Sequence, residues 1–156
     1  MQAPFRSAPK HVLPEWIDYN GHLNMAYYSV LFDTSVDEIY ENIGFGPDYI
    51  KSHNHTTYTA EFHVCYVREL HEGDETYVTT QLIAYDEKRF HTYQELFHAD
   101  GWLAATGEAL ALHIDMSGPR VAPMPDHILA NLKAIHTAHA VLPIPKRASK
   151  SISIKG

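Results

Sequence analysis

The stretch Asn24-Met25-Ala26-Tyr27-Tyr28-Ser29-Val30-Leu31-Phe32-Asp33-Thr34-Ser35-Val36-Asp37-Glu38-Ile39-Tyr40-Glu41-Asn42-Ile43-Gly44 sets the problem that the rest of the chain must solve. Met25, Tyr28, Phe32, Val36, Ile39 and Ile43 recur at steps of three and four, the spacing of one helical face. Ser29, Asp33, Asp37 and Glu41 fall on the opposite face. Asn24 is a good N-cap and Gly44 a good stop, so the spacing predicts one helix of roughly five turns. Its apolar stripe needs a cover, and the following residues supply one.

After Gly46-Pro47 to Asn54, read as a loop, the apolar period changes from helical to two. Tyr58, Ala60, Phe62, Val64 and Tyr66 share one face of a strand, with Glu61, His63 and Cys65 on the other. Beyond the Gly73-Asp74 turn, Val78, Leu82 and Ala84 alternate with Tyr77, Ile83 and Tyr85. Asp86 to Arg89 form a polar turn, Phe90 to His98 a third strand, and Asp100-Gly101 a hairpin turn into Trp102 to Met116. On that fourth strand Ala105, Gly107, Ala109 and Ala111 leave room for something bulky, and the long helix is the candidate. Pro125-Asp126 opens a second helix with the stripe Ile128, Leu129, Leu132, Ile135. Before the long helix, Pro9 to Leu13 is a short extended piece. Consecutive strands joined by tight turns are antiparallel. The expectation is an α+β fold: an antiparallel sheet wrapped around one long helix.

The chain has 156 residues, 45% apolar and 20% charged, which fits one packed domain over 1–142 and a basic tail over 143–156. The net charge is −7, and it is uneven. Lys146, Arg147, Lys150 and Lys155 make the tail +4, while the remaining 142 residues carry 8 cations against 19 acids, or −11. An acidic body argues against nucleic-acid binding. The tail reads either as a solvated extension or as a cationic arm beside an anionic ligand. No apolar run is long enough for a membrane helix, and Met1 to His11 lacks the apolar core of a secretory signal. With the single Cys65, expected as a small buried hydrophobe, this points to a cytoplasmic location. Twelve histidines include only two close pairs, His53-x-His55 and His136-x-x-His139, and neither stands in a metal-binding frame. No phosphate-loop, nucleophile-elbow or dinucleotide motif is present.

Asp18 precedes the helix in a glycine-containing turn. A carboxylate there lies near the positive helix end, whose first amides lack intrahelical acceptors and suit a developing oxyanion. Asp18 would then act on a carbonyl or on water. The same side chain equally serves to cap a turn, and His22 and Asn24 equally serve to brace the loop.

The run Trp16-Ile17-Asp18-Tyr19-Asn20-Gly21-His22-Leu23-Asn24-Met25-Ala26-Tyr27-Tyr28 resembles the approach to the central helix in hotdog-fold acyl-CoA thioesterases. It is most similar to the 4-hydroxybenzoyl-CoA thioesterase and acyl-CoA thioester hydrolase branch, which shows Asp, two residues, Gly, often His, an aliphatic residue and Asn, with Tyr just beyond. The resemblance covers about residues 8 to 138. It implies hydrolysis of an acyl-CoA to free acid and coenzyme A without metal or redox cofactor. It makes Asp18 the catalytic carboxylate, with His22 and Asn24 in the motif, and gives the Met25 backbone amide the thioester oxygen. An aromatic residue stands at the Met25 position in the 4-hydroxybenzoyl-CoA enzyme, so an aryl-specific pocket is not expected here. The resemblance also implies cations against the coenzyme A phosphates, at Lys88 and Arg89 and, more weakly, at Arg68. It further implies a homodimer or a homotetramer built as a dimer of dimers. Two other readings share the fold. Hotdog enoyl-CoA hydratases place Asp, then Asn-Pro, then His, whereas Asp18-Tyr19-Asn20-Gly21-His22 lacks the Pro and brings the His one residue closer. A non-catalytic acyl-CoA-binding protein is the other. Betainyl-CoA thioesterase domains carry a similar Asp-Tyr-Asn-Gly-His run, and ten Tyr and two Trp offer ring faces to a quaternary ammonium.

Overall fold

In the computed structural model, which describes residues 2–154, the long helix α1 spans Met25–Ile43. The Asn24 side chain accepts the Ala26 N–H at 3.0 Å to start it, and the Gly44 N–H donates to Tyr40 and Glu41 carbonyls to close it. Two-residue strands β1 (Phe5–Arg6) and β2 (Lys10–His11) precede α1. After α1 come a short helix α2 (Pro47–His53), then β3 (His55–Tyr66), β4 (Glu75–Tyr85), β5 (Arg89–His98), β6 (Leu103–Asp115), β7 (Arg120–Val121) and α3 (Asp126–His139). The strands form one antiparallel sheet in the order β1-β4-β5-β6-β3, with β2 also on β4 and β7 on β6. The twelve-residue β3 is therefore a sheet edge.

α1 lies across one face of this sheet. Leu31, Phe32, Ile39 and Ile43 are buried there against Val78, Leu82, Phe90 and Leu96. The small-residue face of β6 makes that approach possible. A Cβ on Gly107 would stand 3.0 Å from the Phe62 ring and 3.3 Å from Phe32. α3 seals the C-terminal end of α1: Ile128, Leu132 and Ile135 are buried, and Asn131 donates to the Ile43 carbonyl at 2.8 Å.

Five local expectations change. The segment Pro47–His53 is a helix and not a loop, capped by Asn54 in the left-handed region. β1 and β7 are strands where none was read. A bulge between Thr59 and Glu61 shifts the phase of β3, so that Thr59 and Phe62 line one hollow against α1 while Tyr58 reaches Met116 instead. A second bulge between Leu82 and Ala84 puts Tyr85, and not Ala84, against the core. Cys65 is only half-buried, its sulfur 3.9 Å from His63 Nε2.

The described part of the tail lies on the sheet face away from α1. The Ser149 N–H donates to both oxygens of Glu108, at 2.8 and 3.0 Å, and the Pro143 carbonyl accepts from Gln81. Lys155 lies outside the described residues. No helix among the described residues is long and apolar enough to cross a membrane.

Candidate active site

The residues before α1 fold back on themselves to present one carboxylate. A single turn of 3-10 helix, Pro14–Trp16, leads into a short hairpin in which Ile17 bridges Leu23. The Gly21 N–H donates to the Asp18 carbonyl at 2.9 Å, and the Asp18 N–H to the His22 carbonyl at 3.2 Å. Gly21 sits at φ +82, a conformation open to glycine at little cost. Within this turn Asp18 Oδ1 accepts the Asn20 N–H at 2.8 Å, so the turn-capping role read from the sequence is real. Its other oxygen, Oδ2, accepts from Asn24 Nδ2 at 3.2 Å. Each oxygen keeps a second lone pair, and the half-buried carboxylate faces a cleft.

The start of α1 lines the same cleft. The Ala26 N–H is taken by the Asn24 side chain and the Tyr27 N–H by the Asn24 carbonyl. The Met25 N–H has no acceptor among the described residues. Met25 belongs by spacing to the buried stripe, but its side chain is 64% exposed, because at the first position of α1 it lines the open cleft. A free amide at the positive end of a 19-residue helix, beside a carboxylate, can polarise a carbonyl while the carboxylate acts on it or on water.

The cleft measures about 480 Å³ and gathers Asp18, His22, Asn24 and Met25 with the end of β3 and the residues after it, Tyr66 to Glu69. His22 does not bond Asp18. Its Nδ1 donates to the Leu23 carbonyl at 3.3 Å and its Nε2 stands 3.7 Å from Glu69. Arg68 borders the cleft with its guanidinium carbon 4.1 Å above the Trp102 ring. Lys88 and Arg89 are elsewhere. They begin β5 at the end of the sheet that holds Asp115 and the α1 C-terminus, whereas the Asp18 cleft adjoins the end of β3 at Tyr66. Asp86 holds Arg89 at 2.6 Å, and Glu87 lies 3.6 Å from Lys88. That short Arg89 contact, with two backbone N–H donors, also draws the Asp86 carboxyl below its ordinary range.

The sequence reading missed Tyr66 and Glu69 as site residues. Tyr66 ends the face of β3 that meets α1, so its position followed from the alternation, and its partner did not. The Tyr66 hydroxyl donates to the Met25 carbonyl at 3.0 Å. Among the described residues no three His, Cys, Asp or Glu side chains converge as metal ligands.

The model of the thioesterase-like superfamily matches residues 12–132. The chain is 36% identical over 144 residues to the betainyl-CoA thioesterase of Pseudomonas aeruginosa, covering 92% of this chain and 91% of that one. It is 34% identical to the L-carnitine dehydrogenase/betainyl-CoA thioesterase of Rhizobium meliloti, matching 97% of this chain but 31% of that longer protein. A hypothetical protein of Staphylococcus aureus solved in complex with CoA superposes with a TM-score of 0.89 at 26% identity, over 99% of this chain and 98% of the other. With the match across most of the chain, the sheet wrapped on one helix and the Asp18 hairpin at its end, the chain belongs to the thioesterase-like superfamily and is a hotdog-fold thioesterase.

Proposed function

We propose that this chain hydrolyses an acyl-CoA thioester to the free acid and coenzyme A, with Asp18 as the working carboxylate and betainyl-CoA as the substrate. The observation that carries this reading is the juxtaposition of Asp18 with the acceptor-free Met25 N–H across one cleft. The thioester oxygen accepts the Met25 N–H, and the helix end stabilises the negative charge that gathers there. Asp18 then takes a proton from water as the oxygen of that water bonds to the carbonyl carbon. When the tetrahedral oxyanion collapses, the C–S bond breaks and the thiolate recovers the proton. If Asp18 attacks directly, Oδ bonds to carbon, the C–S bond breaks, coenzyme A leaves as a thiolate that takes its proton from solvent, and water opens the mixed anhydride at the Asp18 carbonyl carbon. Single-turnover hydrolysis in ¹⁸O water separates the routes, since only the second labels the Asp18 carboxylate.

Asn24 positions Asp18, and His22 braces the hairpin through Leu23 and Glu69. Arg68 is the cation of this chain best placed for the coenzyme A phosphates. Lys88 and Arg89 take that part only where a second copy brings its β4–β5 turn to the cleft. Edge strand β3 offers unpaired backbone over twelve residues, which supports a homodimer, alone or as half of a tetramer. The substrate assignment rests on the 36% identity with a betainyl-CoA thioesterase and on the tyrosines beside Asp18. Free-thiol release across a panel of acyl-CoA thioesters tests it. Fastest release from betainyl-CoA is expected, and faster release from aryl or long-chain thioesters overturns the substrate. Hydration of an enoyl-CoA without thiol release overturns the reaction.

A further inference from the structure

We propose that Tyr66 is the specificity-determining ring of this site, its face receiving the quaternary ammonium of the acyl group one turn of geometry away from the Met25 amide. The inference rests on the betainyl-CoA reading and names the residue that would make it selective. Tyr66 is 45% exposed and lines the Asp18 cleft, yet its ring is not free to turn aside. Its hydroxyl donates to the Met25 carbonyl at 3.0 Å, and the Tyr28 ring braces it edge to face at 5.0 Å and 82°. Tyr28 is itself pinned, because its hydroxyl accepts the Leu70 N–H at 3.3 Å. Burial pushes the Tyr66 phenol up, so the group stays protonated and keeps donating.

Distance supports the pairing. The N and O of one residue lie within about 4 Å of each other, which puts the Tyr66 hydroxyl within about 7 Å of the Met25 N–H. In a betainyl thioester the ammonium nitrogen is two bonds from the carbonyl carbon. With the carbonyl oxygen on Met25 N–H, that nitrogen falls roughly 5 Å from the amide, which leaves it room to approach the Tyr66 ring to within the roughly 6 Å of the centroid at which a cation is attracted. The charge environment agrees: Asp18 and Glu69 share the cleft, while its one permanent cation among the described residues, Arg68, is turned onto Trp102. A trimethylammonium cannot donate a hydrogen bond, so a ring face backed by carboxylates is the chemistry that distinguishes it from a neutral group of the same shape.

The test compares betainyl-CoA with 3,3-dimethylbutanoyl-CoA, in which carbon replaces the charged nitrogen, as substrates of the full chain. The wild type is expected to prefer the charged thioester. Tyr66→Leu is expected to lower the ratio of the two kcat/KM values by about ten-fold, the scale of one partly desolvated cation–π contact, while Tyr66→Phe keeps the ratio. A ratio unchanged in Tyr66→Leu overturns the proposal, as does an equal fall on both substrates in both variants, which makes the ring merely structural. Wild type that hydrolyses both thioesters without preference overturns the charge-reading ring but leaves the thioesterase. Wild type that hydrolyses neither overturns the proposed reaction and the inference with it.

Discussion

Asn24 holds Asp18 and the helix end at once: its amide nitrogen donates to Asp18 Oδ2 at 3.2 Å, and its amide oxygen accepts the Ala26 N–H at 3.0 Å. One side chain thus ties the carboxylate to the first turn of the helix. Asn24→Ala is expected to cost about 1 kcal/mol of stability through the lost cap and about ten-fold in kcat through misplacement of Asp18. Asn24→Ser separates the two effects. Its short hydroxyl restores the cap and therefore the melting temperature, but cannot reach Asp18, so kcat stays low. A Ser variant with wild-type kcat contradicts the positioning role.

Coenzyme A is polyanionic and the body of the chain carries −11, so a local cation must reverse the field where the nucleotide lands. Arg68 stands at the cleft and the Lys88–Arg89 turn at the other end of the sheet. Arg68→Ala is expected to raise KM by about ten-fold with a smaller change in kcat, and the effect shrinks as salt is added. Lys88→Ala with Arg89→Ala raises KM only in an assembly where two chains share a cleft. Light scattering on the same sample decides which case applies. A raised KM in that double variant, on a protein that is monomeric in the assay, contradicts this placement.

Gly107→Val places carbon where the Phe62 and Phe32 rings already stand at 3.0 and 3.3 Å. Phe32 is buried between α1 and the sheet, and half-buried Phe62 packs edge to face against it, so relieving the strain means disturbing that pair. A loss of about 1–3 kcal/mol is expected from urea denaturation. A variant as stable as the wild type would show that α1 is not held this close to β6.

Two buried histidines make the fold acid-sensitive. His113 Nδ1 donates to the Ala122 carbonyl, and its Nε2 accepts from the Tyr49 hydroxyl, both at 2.8 Å. His139 Nδ1 accepts the Leu82 N–H at 2.9 Å. Burial holds both imidazoles below their ordinary range. The unfolded chain therefore binds more protons below about pH 6.5, and stability falls as pH drops through that window. Denaturation midpoints measured from pH 7.5 to pH 5 should decline, and His113→Gln should start lower but decline less. A midpoint flat across this range rules the mechanism out.

Much of the architecture was legible in the sequence because its signals are periodic. Five residues of the six-residue stripe on α1 (all but Met25), the caps at Asn24 and Gly44 and the small face of β6 find their partners. The face of β3 up to Ala60 and that of β4 past Ile83 do not follow a single alternation, since a bulge changes phase with no Gly or Pro to mark it. α2 is seven residues long, too short to show a helical period. The Asp18 turn could be read from residue types, but the tie from Tyr66 to Met25 joins positions 41 apart and depends on how the sheet curls round the helix. Lys88 and Arg89 follow from the resemblance, and within one chain they stand at the other end of the sheet from the Asp18 cleft, so their part depends on a second copy.

The proposal that Asp18 drives hydrolysis of a thioester held on the Met25 amide is tested by free-thiol release from betainyl-CoA by wild type and Asp18→Asn side by side, with substrate binding measured on both. Asn keeps the size of the side chain and can keep the hairpin, but supplies neither a base nor a carboxylate nucleophile. The expected result is a folded variant that binds substrate and turns it over slower by about two orders of magnitude or more. A folded Asp18→Asn protein with near wild-type turnover would contradict it.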